Sequence, residues 1–495
     1  MVHDSVIGYD IKATLKVLRQ LGVEMPAVKH DVLIGAFLLN SLIREQSLSE
    51  LAASELNVHL DEAVATSADT TAVIGALYKD QTKKLKEFPK LEKLAHDIEW
   101  PIISVLADME SQGIQLDTQY LGLMSSQVDD LISDLEQQIY GFAETEFNIS
   151  SPSQLADILF EKLKLSTTGI KKGKTAYSTA ASELDKLRGS HPIIDMITQF
   201  REVSKLKNTY IDTLPKLVDS SSRVHTTFNL TIAQTGRLSS TDPNLQNIPV
   251  RTELGKRIRT AFVAGPGMRF VGADYSQFEL RLAAVLAEDT EMIDAFNRGA
   301  DIHTITAAQV YGRDPEDVTK SMRREAKVVN FGIMYGLSTH GLVAATGMGY
   351  DQAKEFIEKY FLARPKLKTY IDTVKKQATE DGFVETLFGR RRPTPDIQSS
   401  NFMVREGALR AAVNMPFQGS AADIMKKAMI DIHQKLVDWP ETKMLLQIHD
   451  SIMVECPEKD AQDIAKLLKE TMENTISLPV KLTVDTEIGE NWGEL

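Results

Sequence analysis

Residues 323–336 read RREAKVVNFGIMYG. Four side chains recur in this segment at every fourth position: Arg323, Lys327, Phe331 and Tyr335. On an α-helix these residues form one stripe, about 18 Å long from first to last. Two cations at one end and two aromatic rings at the other suit a ligand with a polyanionic tail and a flat head, such as a nucleoside triphosphate. An amphipathic surface helix explains the same pattern, so the rest of the chain has to decide.

Two aspartates stand at the ends of predicted strands. The apolar run 270–273 ends in Asp274, and apolar runs on both sides of 449–451 predict a hairpin with Asp450 at its turn. Two carboxylates brought together repel each other unless cations lie between them. Mg²⁺ prefers oxygen ligands and commonly binds one or two carboxylates together with substrate phosphates. Either aspartate alone is more often a turn former or a helix cap, but with the stripe between them they predict a metal-dependent nucleotide site.

Several segments resemble motifs of the family A DNA polymerases, the bacterial DNA polymerase I group. Three resemble motifs A, B and C of that family: DYSQFELR at 274–281, the RREAKVVNFGIMYG helix and QIHDS at 447–451. Four more match in the family's order: FNISSPSQLADILFEKL at 147–163, QTGRLSSTDPNLQNIPVR at 234–251, DIHTITAAQVYG at 301–312 and RAAVNMPFQGSAADIMK at 410–426. The resemblance covers essentially the whole chain and is to a large fragment of the Klenow type, without the separate 5′-nuclease domain.

The resemblance implies an α+β multidomain right-hand polymerase with palm, fingers and thumb, preceded by an α/β 3′–5′ exonuclease-like domain. The implied segments are a partial or degenerate exonuclease-like domain at 1–95, a thumb with a short palm entry segment at 96–223, a first part of the palm with motif A at 224–281, fingers with the motif B helix at 282–402, and a second part of the palm with motif C at 403–495. The first segment has no Asp-x-Glu motif, and the Tyr-x-x-x-Asp signature is missing around 65–69. Scattered acids such as Asp31 and Asp69 are usually solvated surface groups, so we expect no proofreading.

The activity implied is template-directed addition of dNTPs to a primer 3′-hydroxyl by two-metal-ion phosphoryl transfer. Asp274 and Asp450 would hold two Mg²⁺ ions, for which Mn²⁺ can substitute, with help from the backbone carbonyl of Tyr275. One ion would activate the primer hydroxyl, and the other would hold the triphosphate and neutralise the departing pyrophosphate. Lys327 would act as a general acid toward the leaving group.

The resemblance also implies a dNTP site made of Arg323, Lys327, His303, Phe331, Glu279, Gln277 and Tyr335. The first three would hold the triphosphate. Glu279 and Phe331 would close over the 2′ side of the sugar and reject ribonucleotides. A phenylalanine at 331, where tyrosine is the alternative, predicts poor incorporation of dideoxynucleotides. Tyr335 would stack in the templating position.

The implied DNA contacts are Arg237, Asn414, Gln418, His449 and Arg410, together with Lys171, Lys172 and Lys174. Minor-groove acceptors are nearly the same for every base pair, so Arg and Gln there would check pair shape without reading sequence. The three lysines lie in a loop that also contains Ser, Thr and Gly, and this loop would lie along the duplex backbone. The arginine triplet 390–392 is a further cationic candidate, with a solvated face as the equal alternative.

Two residues depart from the family pattern. Phe278 stands where motif A usually has an aliphatic residue, and it either fills a wider pocket or shifts Glu279. Ser451 replaces the acid that usually follows His-Asp in motif C. Single-subunit, phage-type RNA polymerases carry His-Asp-Ser at this position, so an RNA polymerase-like enzyme is one alternative. A catalytically inactive primer-template-binding protein is the other.

Composition sets limits on partners and compartment. The chain has 56 basic and 69 acidic residues and a net charge of −13, so any cations that meet nucleic acid must be concentrated locally. The single cysteine, Cys456, excludes an internal disulfide and fits a reducing cytoplasm. No run of about 20 apolar residues and no signal-peptide-like segment is present. We therefore expect a cytoplasmic, nucleoid-associated monomer with no membrane contact.

Overall fold

The computed structural model describes residues 5–23, 26–43, 46–61, 63–174, 176–250 and 252–495. The chain packs into two compact units. The first comprises Met1–Gln112, Thr226–Gln246 and Met268–Ile488, and the second comprises Gly113–His225, Asn247–Gly267 and Gly489–Leu495. All the residues predicted for the metal, the nucleotide and the primer terminus belong to the first unit, and the three loop lysines belong to the second. The division into palm, fingers and thumb stays a prediction.

The strands are β1 (Ser5–Gly8), β2 (Ala27–Asp31), β3 (Ile114–Gln115), β4 (Arg223–Val224), β5 (Thr227–Asn229), β6 (Ser239–Thr241), β7 (Met268–Tyr275), β8 (Phe383–Glu385), β9 (Arg391–Pro393), β10 (Lys443–Ile448), β11 (Ser451–Pro457) and β12 (Val484–Gly489). The α-helices are α1 (Ile11–Gln20), α2 (Val32–Leu39), α3 (Leu48–Leu56), α4 (Ser67–Lys86), α5 (Pro89–Leu94), α6 (Trp100–Gln112), α7 (Thr118–Ala143), α8 (Pro152–Ala156), α9 (Ala181–Leu184), α10 (Pro192–Leu206), α11 (Glu253–Thr260), α12 (Phe278–Leu286), α13 (Thr290–Asn297), α14 (Ile302–Tyr311), α15 (Lys320–Met334), α16 (Thr339–Thr346), α17 (Tyr350–Ala363), α18 (Pro365–Glu380), α19 (Phe402–Lys435) and α20 (Ala461–Glu473). None of the helices in the described part of the chain is both long and apolar enough to cross a membrane.

A four-stranded sheet with the strand order β10-β11-β7-β12 carries the two predicted acids. The hairpin predicted around Asp450 is present, because β10 and β11 pair antiparallel on either side of His449 and Asp450. Strand β11 also pairs antiparallel with β7, and helix α20 packs against β7. Val271, Ile452 and Val454 are fully buried, so the apolar runs read from the sequence are the core of this sheet.

Helices α12 to α18 and the first half of α19 share one apolar core. Within it, α15 begins after Thr319, which caps the helix, and its buried apolar side chains recur at three- and four-residue steps: Ala326, Val329 and Ile333. This leaves Arg323 and Lys327 exposed on another face. The helix ends at Met334, two residues before the predicted end, because Gly336 adopts a left-handed φ of +69°.

The N-terminal segment has an α/β start in which β1 and β2 pair in parallel with α1 between them. The expectation that its acids are solvated is wrong for Asp31, which is 1% exposed. The carboxylate of Asp31 accepts hydrogen bonds from the backbone N–H groups of Ile11 at 2.7 Å and Leu33 at 2.9 Å, and so caps α2. Asp69 is exposed and forms a capping box with Thr66 at the start of α4. Both acids therefore have structural roles.

Candidate active site

Asp274 and Asp450 lie on neighbouring backbone segments at one end of the sheet. Ser451 is the antiparallel partner of Asp274, and the backbone N–H of Tyr275 donates to the carbonyl oxygen of Asp450 at 3.1 Å. Directly opposed Cα atoms in such a pair are about 5.5 Å apart or less. The register of β11 against β7 thus brings together two acids that are far apart in the chain.

The electrostatics of both acids favour a cation between them. Burial raises the pKa of Asp450 from 3.8 to about 7; Arg237 opposes this shift, and Glu279 and Asp274 add to it. Asp274 is exposed as a residue, but partial desolvation of its carboxyl raises the pKa to about 6, with further contributions from Asp485 and Glu487. The two carboxylates are therefore costly to keep ionised without a nearby positive charge.

The residues at this point fit a divalent cation whose ligand set is completed by substrate. The described residues contain no group of three or more His, Cys, Asp or Glu side chains able to hold a metal ion. Mg²⁺ is commonly held by one or two carboxylates together with substrate phosphates. Asp274 and Asp450 provide two such carboxylates. The phenol of Tyr275 is buried and donates to the carbonyl oxygen of Met472 at 2.7 Å, so Tyr275 has only its backbone carbonyl to offer.

The pKa of Asp450 leads to a prediction about stability without metal. Because its folded value of about 7 lies above the ordinary 3.8, folding favours the protonated form. This contribution to the free energy of unfolding is fully present below about pH 4 and is lost as the pH rises through about 7. In EDTA at pH 8, Asp450→Asn should therefore raise the melting temperature by about 2 °C or more, and the gain should vanish at pH 4. Thermal unfolding at both pH values checks this, with Asp463→Asn, an exposed acid on α20, as the control; a lower melting temperature for Asp450→Asn at pH 8 would contradict it.

Residues at the start of helix α14 contact the α15 stripe. Nε of Arg323 lies 2.6 Å from Oδ2 of Asp301, the residue that caps α14. His303 is 3% exposed and contacts Asn330 through Nδ1 at 3.0 Å, and its ring lies 5.7 Å from the ring of Phe331. Burial lowers the pKa of His303 to about 4; Asp301 opposes the shift, and Arg323 and Lys327 add to it. His303 is therefore a neutral group near pH 7.

The aromatic end of the stripe joins a chain of polar contacts that leads to Asp450. The hydroxyl of Tyr335 donates to one carboxylate oxygen of Glu279, and Nη2 of Arg237 lies 2.5 Å from the other. The same Nη2 atom lies 3.9 Å from Oδ1 of Asp450. Burial and the charge of Glu279 raise the pKa of Tyr335 to about 12, while a hydrogen bond with Gln418 opposes the shift. Tyr335 therefore stays protonated and holds Glu279 in place.

The two departures from the family pattern have local explanations. Phe278 is 2% exposed, and its ring stacks on that of Tyr275 at 4.2 Å with an interplanar angle of 17°. Its extra volume therefore fills the core, and Glu279 still reaches Arg237 and Tyr335. The hydroxyl of Ser451 donates to the carbonyl oxygen of Ile448 at 2.9 Å, within the hairpin.

Helix α19 carries three of the predicted DNA contacts at four-residue spacing: Arg410, Asn414 and Gln418. Arg410 packs against the end of α15, because a Cβ atom added at Gly336 would lie 2.5 Å from Cγ of Arg410. Among the described residues, Oδ1 of Asn414 and Oε1 of Gln277 are buried without a hydrogen-bond partner. Buried polar atoms are normally paired, so these two acceptors are suited to a bound ligand. His449 is exposed at the turn of the β10–β11 hairpin.

The remaining cations lie in different surroundings. In the second unit, Lys171, Lys172 and Lys174 are exposed, and Nζ of Lys172 lies 5.1 Å from the centre of the Tyr177 ring. Both interpretations of the arginine triplet are wrong for Arg390, which is buried, whereas Arg391 and Arg392 are half-buried. Arg390 is 2% exposed, and the guanidinium of Arg391 lies 4.0 Å from the centre of the Phe88 ring.

The sequence interpretation missed three acids of this site. Asp301 opens the DIHTITAAQVYG segment, but nothing in that segment predicts its ion pair with Arg323, which lies on another helix. Asp485 and Glu487 raise the pKa of Asp274 and lie two positions apart on β12. The spacing of these two acids could have indicated their position, because residues at i and i+2 of a strand lie on the same face of the sheet.

The comparisons with known proteins identify the family. A model of "DNA polymerase family A" matches residues 118–494. This chain belongs to DNA polymerase family A. The thermostable DNA polymerase I of Thermus caldophilus is 46% identical to it, and the match covers 84% of this chain and 50% of that protein. DNA polymerase I of Geobacillus stearothermophilus is 41% identical, with 98% of this chain and 57% of that protein covered.

This family A chain thus spans about half the length of the curated relatives it matches. Among solved structures, it is similar to the POL domain of Pol1 from M. smegmatis, which is in complex with a DNA primer-template and dNTP. The TM-score is 0.92 at 38% identity, over 98% of this chain and 86% of that one. The predicted fold class, a multidomain α+β polymerase of the right-hand type, is confirmed.

Proposed function

We propose that this protein is a template-directed DNA polymerase that adds dNTPs to a primer 3′-hydroxyl. The observation that carries the proposal is the pairing of β7 with β11, which brings Asp274 and Asp450 together in the unit that also holds the α15 stripe. Phosphoryl transfer asks a protein mainly for positioning and charge neutralisation, and two carboxylates with a row of cations can supply both. The names of the relatives, and the DNA and dNTP bound by the M. smegmatis protein, support the same function.

Asp274 and Asp450 would hold two Mg²⁺ ions, or Mn²⁺ in their place, together with the backbone carbonyl of Tyr275. When bound, such ions activate the attacking hydroxyl and neutralise charge on the transferred phosphate. Asp274 lies on β7 and Asp450 lies in the turn between β10 and β11, so paired strands hold both backbone segments while nucleotides enter and leave. Arg237, 3.9 Å from Asp450, would help to keep this acid ionised before the ions arrive.

The triphosphate would bind to Arg323, Lys327 and His303. In the free protein Arg323 pairs with Asp301 at 2.6 Å, so the phosphates would compete with this carboxylate for the guanidinium. His303 is neutral near pH 7 and engages Asn330 through Nδ1, so it would offer one hydrogen bond from Nε2 and no charge. Lys327 is exposed one turn further along the stripe and would give a proton to the leaving pyrophosphate.

The role of Lys327 predicts a split between rate and binding. Lys327→Ala should lower kcat by about 10²–10⁴-fold, the usual contribution of a positioned general acid, with a smaller change in KM. Steady-state incorporation of a single dNTP measures both constants. Lys320→Ala, which removes an exposed lysine from the start of the same helix, is the matched control and should leave both unchanged. An increase in KM without a loss of kcat would mean that Lys327 binds phosphate but does not act as a general acid.

Glu279 and Phe331 would form the gate that selects the sugar. Glu279 is 5% exposed and held by Arg237, so a ribose 2′-hydroxyl would meet a fixed wall even after Tyr335 has moved away. Phe331 lies beside His303 and would cover the 2′ and 3′ side of the sugar.

Phe331 should also disfavour nucleotides without a 3′-hydroxyl. Phe331→Tyr adds a phenol that can replace the lost polar contact, so incorporation of dideoxynucleotides relative to dNTPs should rise about two- to tenfold, the worth of one hydrogen bond. Competition between the two nucleotide types in primer extension gives this ratio. Phe331→Leu, which removes the ring without adding a hydroxyl, should not raise it. If Phe331→Tyr leaves the ratio of dideoxynucleotide to dNTP incorporation unchanged, Phe331 does not take part in selecting the sugar.

The primer-template duplex would lie against Arg237, Asn414, Gln418, His449 and Arg410, with Gln277 at the nucleotide. Arg237, Gln418 and His449 would sit at minor-groove acceptors that are nearly the same for every base pair. The phosphate backbone would be contacted by the exposed lysines of the second unit, Lys171, Lys172 and Lys174. Because such contacts release counterions, the affinity for DNA should fall as the salt concentration rises. Tyr335 would leave its bond to Glu279 when a nucleotide pairs with the template.

Primer extension distinguishes this function from the two alternatives. A labelled primer-template is incubated with Mg²⁺ and either dNTPs or NTPs. We expect extension with dNTPs and at least about 10²-fold less with NTPs. Extension with NTPs would indicate an RNA polymerase-like enzyme, which is the alternative that Ser451 raises. Duplex binding without any product would indicate an inactive scaffold.

Three further assignments belong to the same proposal. The structural roles of Asp31 and Asp69 support a first segment that does not proofread, and loss of a mismatched 3′ nucleotide in the extension assay would contradict this. The single cysteine supports action in a reducing cytoplasm, and the proposed binding to DNA would place the protein at the nucleoid. The segments proposed above as palm, fingers and thumb would act together as a monomer.

A further inference from the structure

Four charged side chains meet in the interior of the first unit: Glu99, Arg390, Asp423 and Lys426. None is more than 2% exposed. Nε of Arg390 donates to Oδ1 of Asp423 at 2.8 Å, and Nζ of Lys426 donates to Oε1 of Glu99 at 2.6 Å. The guanidinium of Arg390 also donates to Glu99. Charges without partners are very costly to bury, and even paired ones add little stability on balance, so this cluster calls for a role beyond holding the fold together.

The backbone around Arg390 is fixed as firmly as its side chain. The hydroxyl of Thr386 donates to Oδ2 of Asp423 at 2.8 Å and accepts the backbone N–H of Arg390 at 3.1 Å. The backbone N–H of Thr386 donates to the carbonyl oxygen of Arg390 at 2.9 Å. Hydrogen bonds from Thr386 and Arg390 to Asp423 thus hold the turn between β8 and β9 against helix α19.

Arg390 lies directly on the loop that carries Arg237. A Cβ atom added at Gly236 would lie 2.4 Å from Nε and 2.5 Å from Cζ of Arg390, closer than a real Cβ atom can approach. Gly236 also has a left-handed φ of +79°, which suits glycine. On α19, a Cβ atom added at Gly419 would lie 3.2 Å from the carbonyl oxygen of Thr235. The loop is therefore in close contact with both the guanidinium and the helix.

The cluster reaches the active site at a second point. Lys426 lines a cavity of about 40 Å³ together with Arg237, His449 and Asp450. Arg237 itself lies 2.5 Å from Glu279 and 3.9 Å from Asp450, so small movements of its loop change its contacts to both acids.

We infer that Arg390 is a positioning residue for Arg237. Arg390 would touch neither DNA nor nucleotide. It holds Gly236 in place, and the position of Gly236 sets the direction in which the Arg237 side chain leaves the loop. The inference rests on the proposed function, because Arg237 is assigned there to the primer terminus. Arg390→Lys keeps the buried positive charge but loses the forked guanidinium that spans Asp423, Glu99 and the loop.

A double-mutant cycle in single-turnover dNTP incorporation tests the inference. Wild type, Arg390→Lys, Arg237→Ala and the double variant are compared on a matched primer-template, with the maximal rate and the dNTP dissociation constant measured separately. Arg237→Ala should lower the maximal rate about 10- to 100-fold, the worth of a hydrogen bond to a charged group. Arg390→Lys should lower it about tenfold with the dNTP dissociation constant unchanged. In the Arg237→Ala background, Arg390→Lys should change the rate less than about twofold.

Equal losses from Arg390→Lys in both backgrounds would overturn the inference, and so would no loss in the wild-type background. Arg259→Lys is the matched control, because it removes another buried guanidinium, one that donates to the carbonyl oxygen of Ile248 in the second unit. It should lower the melting temperature without changing the rate.

If Arg390→Lys does not fold, Thr386→Val takes its place, because it removes the hydroxyl that fixes the Arg390 backbone and keeps the four charges. It should give a smaller loss of rate with the same dependence on Arg237, and additive losses would again overturn the inference. A wild-type protein that extends no primer would instead refute the proposed function, and the inference with it.

Discussion

Asp450→Asn is expected to lower kcat for dNTP incorporation by at least about 10⁴-fold, equivalent to about 5.5 kcal/mol of transition-state stabilisation. Asp274→Asn should have an effect of the same order. Asparagine keeps the shape of the side chain and one oxygen, so the fold and the hairpin should survive. What it removes is one of the two carboxylates assigned to the divalent cations at this end of the sheet. The remaining carboxylate cannot take over, because a two-metal site needs oxygen ligands that reach both ions.

The measurement is single-nucleotide primer extension at saturating Mg²⁺, with primer-template binding followed separately by fluorescence anisotropy. Binding should change less than about threefold, because the protein's cations make most of the contacts to the phosphate backbone. Asp463→Asn on α20 is the matched control, since it replaces an exposed acid on a helix that packs against β7. A loss of less than about tenfold in both variants would mean that the reaction does not depend on these carboxylates.

Glu279→Ala is expected to raise ribonucleotide incorporation relative to deoxyribonucleotide incorporation by about 10²-fold. The carboxylate is buried and paired with Arg237, so it leaves no space and no free partner for a 2′-hydroxyl. Alanine removes both obstacles. It also releases Arg237, which lies 3.9 Å from Asp450, so the rate with dNTPs should fall as well.

The ratio of kcat/KM values for one dNTP and its ribonucleotide, measured on the same template, gives the discrimination. Glu279→Gln is the matched control, because it keeps the wall and the bond to Tyr335 but loses the charge that pairs with Arg237. It should keep most of the selectivity while lowering the rate. If Glu279→Ala and wild type discriminate equally, selection of the sugar lies elsewhere, and Phe331 becomes the first residue to test.

The local parts of the site could be predicted from the sequence. The apolar run before Asp274 and the two runs around Asp450 predicted strands, because continuous apolar segments of this length fill a sheet core. The four-residue spacing from Arg323 to Tyr335 predicted the helix. Its end was misplaced by two residues, since the left-handed Gly336 stops the helix and this conformation does not show in the pattern of side chains.

The long-range parts could not be predicted. The register that sets Ser451 against Asp274 depends on how two strands about 180 residues apart pair, and no local pattern encodes it. The same holds for the ion pair of Arg323 with Asp301, which joins two helices. Arg390 was interpreted from its neighbours as a surface cation, although its partners come from α19 and from a segment almost 300 residues earlier in the chain.

The proposed reaction requires Asp274 and Asp450 to share a pair of divalent cations. The most direct test is anomalous diffraction from crystals of the protein with primer-template, a non-hydrolysable dNTP and Mn²⁺. Two manganese peaks about 3.5–4 Å apart, each coordinated by carboxylate oxygens of Asp274 and Asp450, are the expected result. Carboxyl groups more than about 8 Å apart with the nucleotide bound, or manganese at neither acid, would contradict the account, since two ions about 4 Å apart could not then be shared.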